Sequence, residues 1–330
     1  MDGVFVSVKR GLVAALVAVG GVLMPFVGHA QADAWPSRNI RIIAPTAPGS
    51  STDYFARGFA QYLQAQTRQG VFVDNKPGGN TMIGTEAAKN AAPDGYTFFV
   101  GSVSTHSLNP VIQTKLPYDP AKDFVEVGMF SVFPYYLVVA KASAWRSASD
   151  LIDAAKARPG KVSCGYSSAA SRVPCELLKA KQGIDLLTVA YKSAPAVLND
   201  LGGGTIDFTI MDAMSATIAI KGGMLRPIGV TSAHRSPLFP EVKTLDETVP
   251  GFVFEGWAGL TAPAGTPKPV LERMNQYLRG ALAEGSEFRR TIEQNGGAVR
   301  ITSLAEQGEW VVADRKRWGE WVKLANIPSE

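Results

Sequence analysis

Histidine is scarce, three in 330 residues, and neither His106 nor His234 has a partner at metal-ligand spacing, so no metal site is expected. Two cysteines, Cys164 and Cys175, form no C-x-x-C pair, which removes the usual zinc and dithiol redox patterns. No G-x-x-x-x-G-K-[ST] occurs, nor a G-x-G-x-x-G after a strand, so nucleotide binding has no support and no cofactor is expected. The formal charge is only +4 without any basic run, too little and too dispersed for a nucleic-acid surface. Repeats and low-complexity tracts are absent. Beyond the N-terminus no apolar run approaches the roughly 20 residues that span a bilayer.

What is present begins with an export signal. Lys9 and Arg10 precede an uncharged run over residues 11–27, and Gly28-His29-Ala30-Gln31-Ala32 then offers cleavage after Ala30 or after Ala32. That order is the pattern of a secretory signal peptide over residues 1–32 and predicts release into the periplasm. The alternative, a membrane anchor, is weakened by the shortness of the run and its internal glycines. About 300 residues remain, comfortable for two domains. Apolar residues at 46% and charged residues at 19% describe an ordinary globular chain. Export permits a Cys164–Cys175 disulfide, but the spacing does not tell whether the α-carbons come within bridging distance.

Strands and helices alternate. Ile40–Ala44 reads as a strand followed by a helix from Thr52 to Gln66, with Phe55, Phe59, Tyr62 and Leu63 on one face. The same rhythm returns at Val162–Cys164, with a helix expected over Pro174–Lys181. Such alternation predicts α/β architecture with mostly parallel sheets flanked by helices. Two β-prone stretches, Phe124–Ala140 and Phe252–Pro263, exceed the usual strand length. Read as two crossing strands, they divide the chain into a first lobe (33–130 plus 255–330) and a second (131–254), with a ligand cleft between. The alternative is one larger sheet with bulges. From Lys268 to Lys323 the pattern is largely helical, and Trp310, Trp318 and Trp321 have the spacing of packing residues.

In open α/β sheets ligands bind beyond the carboxyl ends of the strands. Three hydroxyl-rich loops fall there: Pro45-Thr-Ala-Pro-Gly-Ser-Ser-Thr-Asp53, Gly101-Ser-Val-Ser-Thr105, and Ser167-Ser-Ala-Ala-Ser171-Arg172. Helix N-termini hold carboxylates well, although each loop taken singly is also explained as helix capping. Arg172 opposes the dipole of its helix, and an anion bound beside it would offset that cost. Such an arginine favours a ligand with a second negative charge. An enzyme alternative also exists. Gly165-Tyr-Ser167-Ser-Ala169 approaches a nucleophile elbow, with Asp212 and His234 following in hydrolase order. Its last glycine is replaced and no HGGG-type segment precedes it, which disfavours a Ser167 hydrolase.

Many short segments match one family in order: Trp35-Pro36, Ala47-Pro-Gly-Ser-Ser-Thr-Asp53, Asp74-Asn-Lys-Pro-Gly-Gly79, Pro93-Asp-Gly-Tyr96, Ser104-Thr-His106 and Leu116-Pro-Tyr-Asp-Pro120. Arg158-Pro-Gly-Lys161, Tyr191-Lys192, Val230-Thr-Ser232, Trp257-Ala-Gly-Leu260 and Ala262-Pro-Ala-Gly-Thr-Pro267 continue the series. With these the chain resembles the Bug-type receptors, the extracytoplasmic solute-binding proteins of tripartite tricarboxylate transporters. The resemblance implies a two-lobed periplasmic binding protein-like fold, no enzymatic activity, and a small carboxylate enclosed by lobe closure. It also implies a membrane permease or a sensor as partner, for a receptor expected to work as a monomer. Carried over to this chain, it favours Thr46, Ala47, Ser50, Ser51 and Asp53 in the first loop and Ser167, Ser168 and Ser171 in the second lobe. Thr105, Tyr191 and Asp212 follow as softer choices. The chain departs from the family at Ser50, where glycine is usual, and at Arg172, which stands at a histidine-like position.

Overall fold

The computed structural model describes residues 1–3 and 35–329. The expected leader, with its cleavage points after Ala30 and Ala32, lies outside the described residues beyond Gly3. In chain order the elements are β1 (Ile40–Ala44), α1 (Ser51–Thr67), β2 (Val71–Asn75), α2 (Met82–Lys89), β3 (Thr97–Ser102) and a π-helical turn (Val103–Leu108). Next come α3 (Asn109–Ile112), α4 (Pro120–Asp123), β4 (Phe124–Ala140), α5 (Ala148–Ala157), β5 (Val162–Tyr166), α6 (Ala169–Gln182) and β6 (Leu186–Ala190). The chain continues with α7 (Ala194–Gly202), β7 (Phe208–Asp212), α8 (Ala213–Lys221), β8 (Leu225–Val230) and β9 (Glu255–Pro263). It ends with α9 (Lys268–Ala281), α10 (Glu287–Gln294), β10 (Ala298–Val299) and α11 (Leu304–Leu324).

The strands lie in the order β2-β1-β3-β9-β4-β7-β5-β6, with β8 and β10 also paired to β4. β1 runs parallel to β2 and β3, and β5 parallel to β6 and β7. Every pairing of β4 and β9 is antiparallel. The mostly parallel expectation therefore holds for the two outer sets and not for the centre. There β4 leaves the first set and β9 returns to it in the opposite direction, and an antiparallel return needs no helical crossover.

β4 is 17 residues long because it serves two sets of partners. Phe124–Pro134 pairs with β9, and Tyr135–Val139 pairs with β7. The change falls at Pro134, which has no N–H to give to a ladder. Register shifts at three places along β4 mark bulges. One continuous sheet results, with a buried cluster on each face. Tyr136 and Val138 belong to one cluster, and Tyr135, Leu137 and Val139 to the other, as the two-residue period of a strand demands.

α1 lays Phe55, Phe59 and Leu63 on the first face, all fully buried. The Phe55 and Phe130 rings stack with centroids 5.5 Å apart. Truncating a phenylalanine so enclosed costs about 3–5 kcal/mol, so α1 is pinned, and its N-terminal loop with it. On the other face Trp318 and Trp321 meet edge to face at 5.0 Å and pack on Phe254. The expected helix at Pro174–Lys181 begins five residues earlier, at Ala169. Ser168 and Ser171 form a capping box there, and Pro174 lies inside the helix rather than opening it. Cys164 on β5 and Cys175 on α6 have α-carbons 6.3 Å apart, and their sulfurs are joined.

Candidate functional site

The loop after β1 is held before any ligand enters. Gly49 adopts φ 81°, a conformation that suits glycine. Asp53, in the first turn of α1, accepts from the Gly49 N–H at 2.9 Å. Asn75 at the end of β2 donates to the Thr46 carbonyl at 3.0 Å and to Asp53 at 2.8 Å. Ser50 is the N-cap at φ −90°, so its side chain in place of a family glycine brings no backbone strain. After β3, Thr105 accepts from the Ser102 N–H at 2.9 Å, and Tyr118 donates to the Thr105 carbonyl at 2.8 Å. In the half of the sheet beyond Pro134, the Ser171 hydroxyl accepts from the N–H groups of Ser167 and Ser168, each at 3.1 Å.

These loops converge on a cavity of about 50 Å³. From the first half of the sheet Thr46, Ser51, Thr52, Thr81, Ser102 and Ser104 line it, and from the second half Ser167, Ser168, Ser171 and Asp212. Phe133 and Tyr135 of β4 and Trp257 of β9, the crossing strands, line it as well. At the start of α6 the halves are joined by Ala169 N–H, which donates to Asn80 Oδ1 at 2.9 Å, and Ala170 N–H, which donates to Ser104 Oγ at 3.4 Å; elsewhere Ser51 bonds Asp212, Thr217 donates to the Asn295 carbonyl at 3.1 Å and Lys221 to the Gln294 carbonyl at 2.6 Å. Side chains of the first half thus occupy the exposed N–H groups at the start of α6.

Burial pushes the Asp212 carboxyl up to about 6, against hydrogen bonds from Ser215 and Ser51 that lower it. Tyr135, its partner across β4 and β7, is raised well above the usual phenol range, first by burial and then by the charges of Asp212 and Asp314. Asp314 on α11 accepts from Trp257 Nε1 at 2.7 Å and from Ser107 at 2.6 Å. It thereby fixes the indole that faces the cavity.

Of the residues singled out in the sequence, Thr46, Ser51, Ser167, Ser168, Ser171 and Asp212 line the cavity. Ala47, Ser50, Asp53, Thr105, Arg172 and Tyr191 lie outside its lining. Asp53 and Thr105 shape the loops as described. Tyr191 donates to Asp200 at 2.8 Å, and the Arg172 guanidinium lies 5.9 Å from the centre of the Tyr166 ring. Thr52, Ser102 and Ser104 also line it from the named hydroxyl-rich loops, whereas sequence reasoning missed Thr81, Phe133, Tyr135 and Trp257. Trp257 stood in a family-like segment, and Phe133 and Tyr135 in the long β-prone stretch, but no hydroxyl pattern marked them. His234, needed by the hydrolase alternative, lines a different hollow of about 860 Å³ together with Trp310 and Trp321. The Ser167–Asp212–His234 constellation is not assembled. That hollow is larger than the hydroxyl-lined cavity, but of the strand-end loops it takes only the one after β8, residues 232–238, whereas the loops after β1, β3, β5 and β7 meet at the smaller cavity.

The family described as tripartite tricarboxylate transporter family receptor matches residues 55–327. The chain belongs to that family. Its members are receptors and not enzymes, and its fold is the solute-binding fold of the Bug type. Protein BugT of Bordetella pertussis is 33% identical over 317 residues, covering 93% of this chain and 96% of the relative. The solved structure of R. palustris Rpa4515 with adipate superposes with a TM-score of 0.86 at 30% identity, covering 89% of this receptor and 99% of that chain. MatC from Rhodopseudomonas palustris, with bound malate, reaches 0.82 at 26% identity and covers 87% and 99%. No described helix of the receptor is long and apolar enough to cross a membrane.

Proposed function

We propose that this receptor works in the periplasm, encloses a small carboxylate-bearing metabolite in the hydroxyl-lined cavity, and delivers it as a monomer to a membrane permease or a sensor. The observation that carries the reading is the cavity itself, where strand-end loops from both halves of the sheet meet across β4 and β9. The adipate and malate held by two structural neighbours of the same fold support a carboxylate as the ligand class. The halves are read as lobes, 33–130 with 255–330 against 131–254, moving about Pro134 and Glu255, the last pair of the β4–β9 ladder.

A thermal-shift screen of ligand-stripped mature protein tests this. Monocarboxylates, dicarboxylates, tricarboxylates, amino acids and aromatic acids are compared at equal concentration. A ligand at a hundred times its Kd adds about 2.7 kcal/mol, which raises Tm by several degrees in a domain of this size. Stabilisation by one class of acid is expected. A folded protein that responds to none would defeat the carboxylate reading.

A further inference from the structure

A cavity that takes an anion ordinarily offers it a cation, and this one does not. Among the described residues lining it, the ionisable side chains are Asp212 and Tyr135, and neither carries positive charge. The groups that act on Asp212 are equally free of cations. From α8 the Ser215 N–H donates to Oδ1 at 2.8 Å, and from α1 the Ser51 hydroxyl reaches the carboxyl. From β4 the neighbour is Tyr135, and from the loop between β5 and α6 come the hydroxyls of Ser167, Ser168 and Ser171. The nearby charges are committed elsewhere: Asp53 of α1 to Gly49, Asn75 and Arg57, and Asp314 of α11 to Trp257, Ser107 and Arg317. Arg172 stands over the Tyr166 ring, outside the lining.

An anionic ligand closed in beside an ionised Asp212 meets like charge in a site with little water to screen it, and carboxylates so placed share one proton. We propose that Asp212 meets the ligand's carboxylate as the neutral acid, donating its proton to a ligand oxygen, so that each anion captured brings one proton from solution into the closed cavity. Oδ1 is engaged by the Ser215 N–H, which leaves Oδ2 to carry the proton. The surrounding serine and threonine hydroxyls serve the ligand's remaining oxygens, since a hydroxyl donates or accepts as required. Burial has already moved Asp212 to about 6, so protonating it at neutral pH costs only about tenfold in affinity. The inference rests on the carboxylate reading and adds to it that binding is proton-linked.

Calorimetric titration with adipate and with malate, from pH 6.5 to 8.5, tests it. Both probes stay ionised over that range, so their own titration does not intrude. Running each pH in two buffers of different ionisation enthalpy counts the protons taken up. The expected result is a Kd that weakens by about tenfold per pH unit above 7, with close to one proton absorbed per acid bound. Asp212→Asn, whose amide donates at any pH, is expected to bind with an affinity that no longer depends on pH. The wild-type proton count stands whether or not that variant folds. A flat Kd without proton uptake would overturn this inference and leave the carboxylate reading in place. So would an affinity that rises with pH, the mark of an ionised Asp212 accepting from a ligand amine or hydroxyl. Failure of both acids to bind at every pH, with no acid active in the thermal screen, would remove the carboxylate reading and this inference together.

Discussion

His106 and Glu126 lie 3.8 Å apart, a separation that invites an ion pair, but burial opposes charge on both. It lowers His106 to about 3 and raises Glu126 to about 8, with the positive field of Arg315 adding to the first and opposing the second. Near neutral pH both are uncharged, and Gln307 donates to Glu126 at 3.3 Å. The sign of the pH dependence follows. Glu126 holds its proton in the folded state up to about 8, whereas the unfolded chain releases it near the ordinary carboxylate value. Stability from this group is therefore full below that value and falls as pH rises toward 8. Glu126→Gln is expected to flatten the decline in denaturant midpoint between pH 6.5 and 8, with a gain of a few kcal/mol at most at pH 8. A variant whose profile parallels the wild type would show that Glu126 ionises freely. None of this was legible in the sequence, where Glu126 is one acid in a β-prone stretch. By contrast the loop hydroxyls at Thr46, Ser51, Ser167, Ser168 and Ser171 were legible, because strand-end position and residue type coincide there. Asp53 and Thr105 shared that position, but they hold the loops' own N–H groups, which residue type alone does not separate from ligand contact.

At the scale of elements, the alternation of strands and helices was readable along most of the chain because each element carries its own period. The start of α6 was not. Pro174 looks like a first-turn proline, but the capping box of Ser168 and Ser171 opens the helix at Ala169, and Pro174 forfeits one backbone bond inside it. The consequence is functional, since the earlier start brings the N–H of Ala169 to the cavity rim, where Asn80 Oδ1 accepts from it. Asn80 has φ 50°, which glycine adopts freely, so Asn80→Gly keeps the backbone path while removing the cross-cleft bond and a 3.2 Å bond from Asn80 Nδ2 to Asn109 Oδ1 within the first half. One such bond is worth about 0.5–1.5 kcal/mol. The variant is expected to bind its carboxylate about 2- to 10-fold more weakly, by the same energy, with a ligand-free Tm lowered by a few degrees at most through the lost Asn109 bond. Unchanged affinity in a titration of the variant would mean that this bond does not contribute to closure.

For the molecule as a whole, the crossing stretches were visible as strands too long for one partner. One larger sheet with bulges stood among the readings of those stretches, but the antiparallel strands at its centre did not, because pairing direction depends on which set each strand enters. That geometry makes β4 and β9 the elements that join the two cavity walls, and it sets the final expectation. A cavity of about 50 Å³ holds a handful of waters and cannot admit an acid the size of adipate without the halves moving apart. On the proposed lobe reading the described conformation is a closed one, fastened at the cavity by the bonds from Ala169 to Asn80, from Ala170 to Ser104 and between Ser51 and Asp212, and beyond it by those from Thr217 to Asn295 and from Lys221 to Gln294. At about 0.5–1.5 kcal/mol each, a handful of such bonds holds closure by only several kcal/mol, so the ligand-free receptor is expected to populate an open state in solution. A carboxylate contacting both walls adds affinity for the closed state alone and shifts the balance. Small-angle scattering of stripped protein should give a radius of gyration that falls on addition of the acid found in the thermal screen. An identical scattering curve with and without saturating acid would show that capture proceeds without closure about Pro134 and Glu255, and the cavity would then have to fill by local movement of its loops.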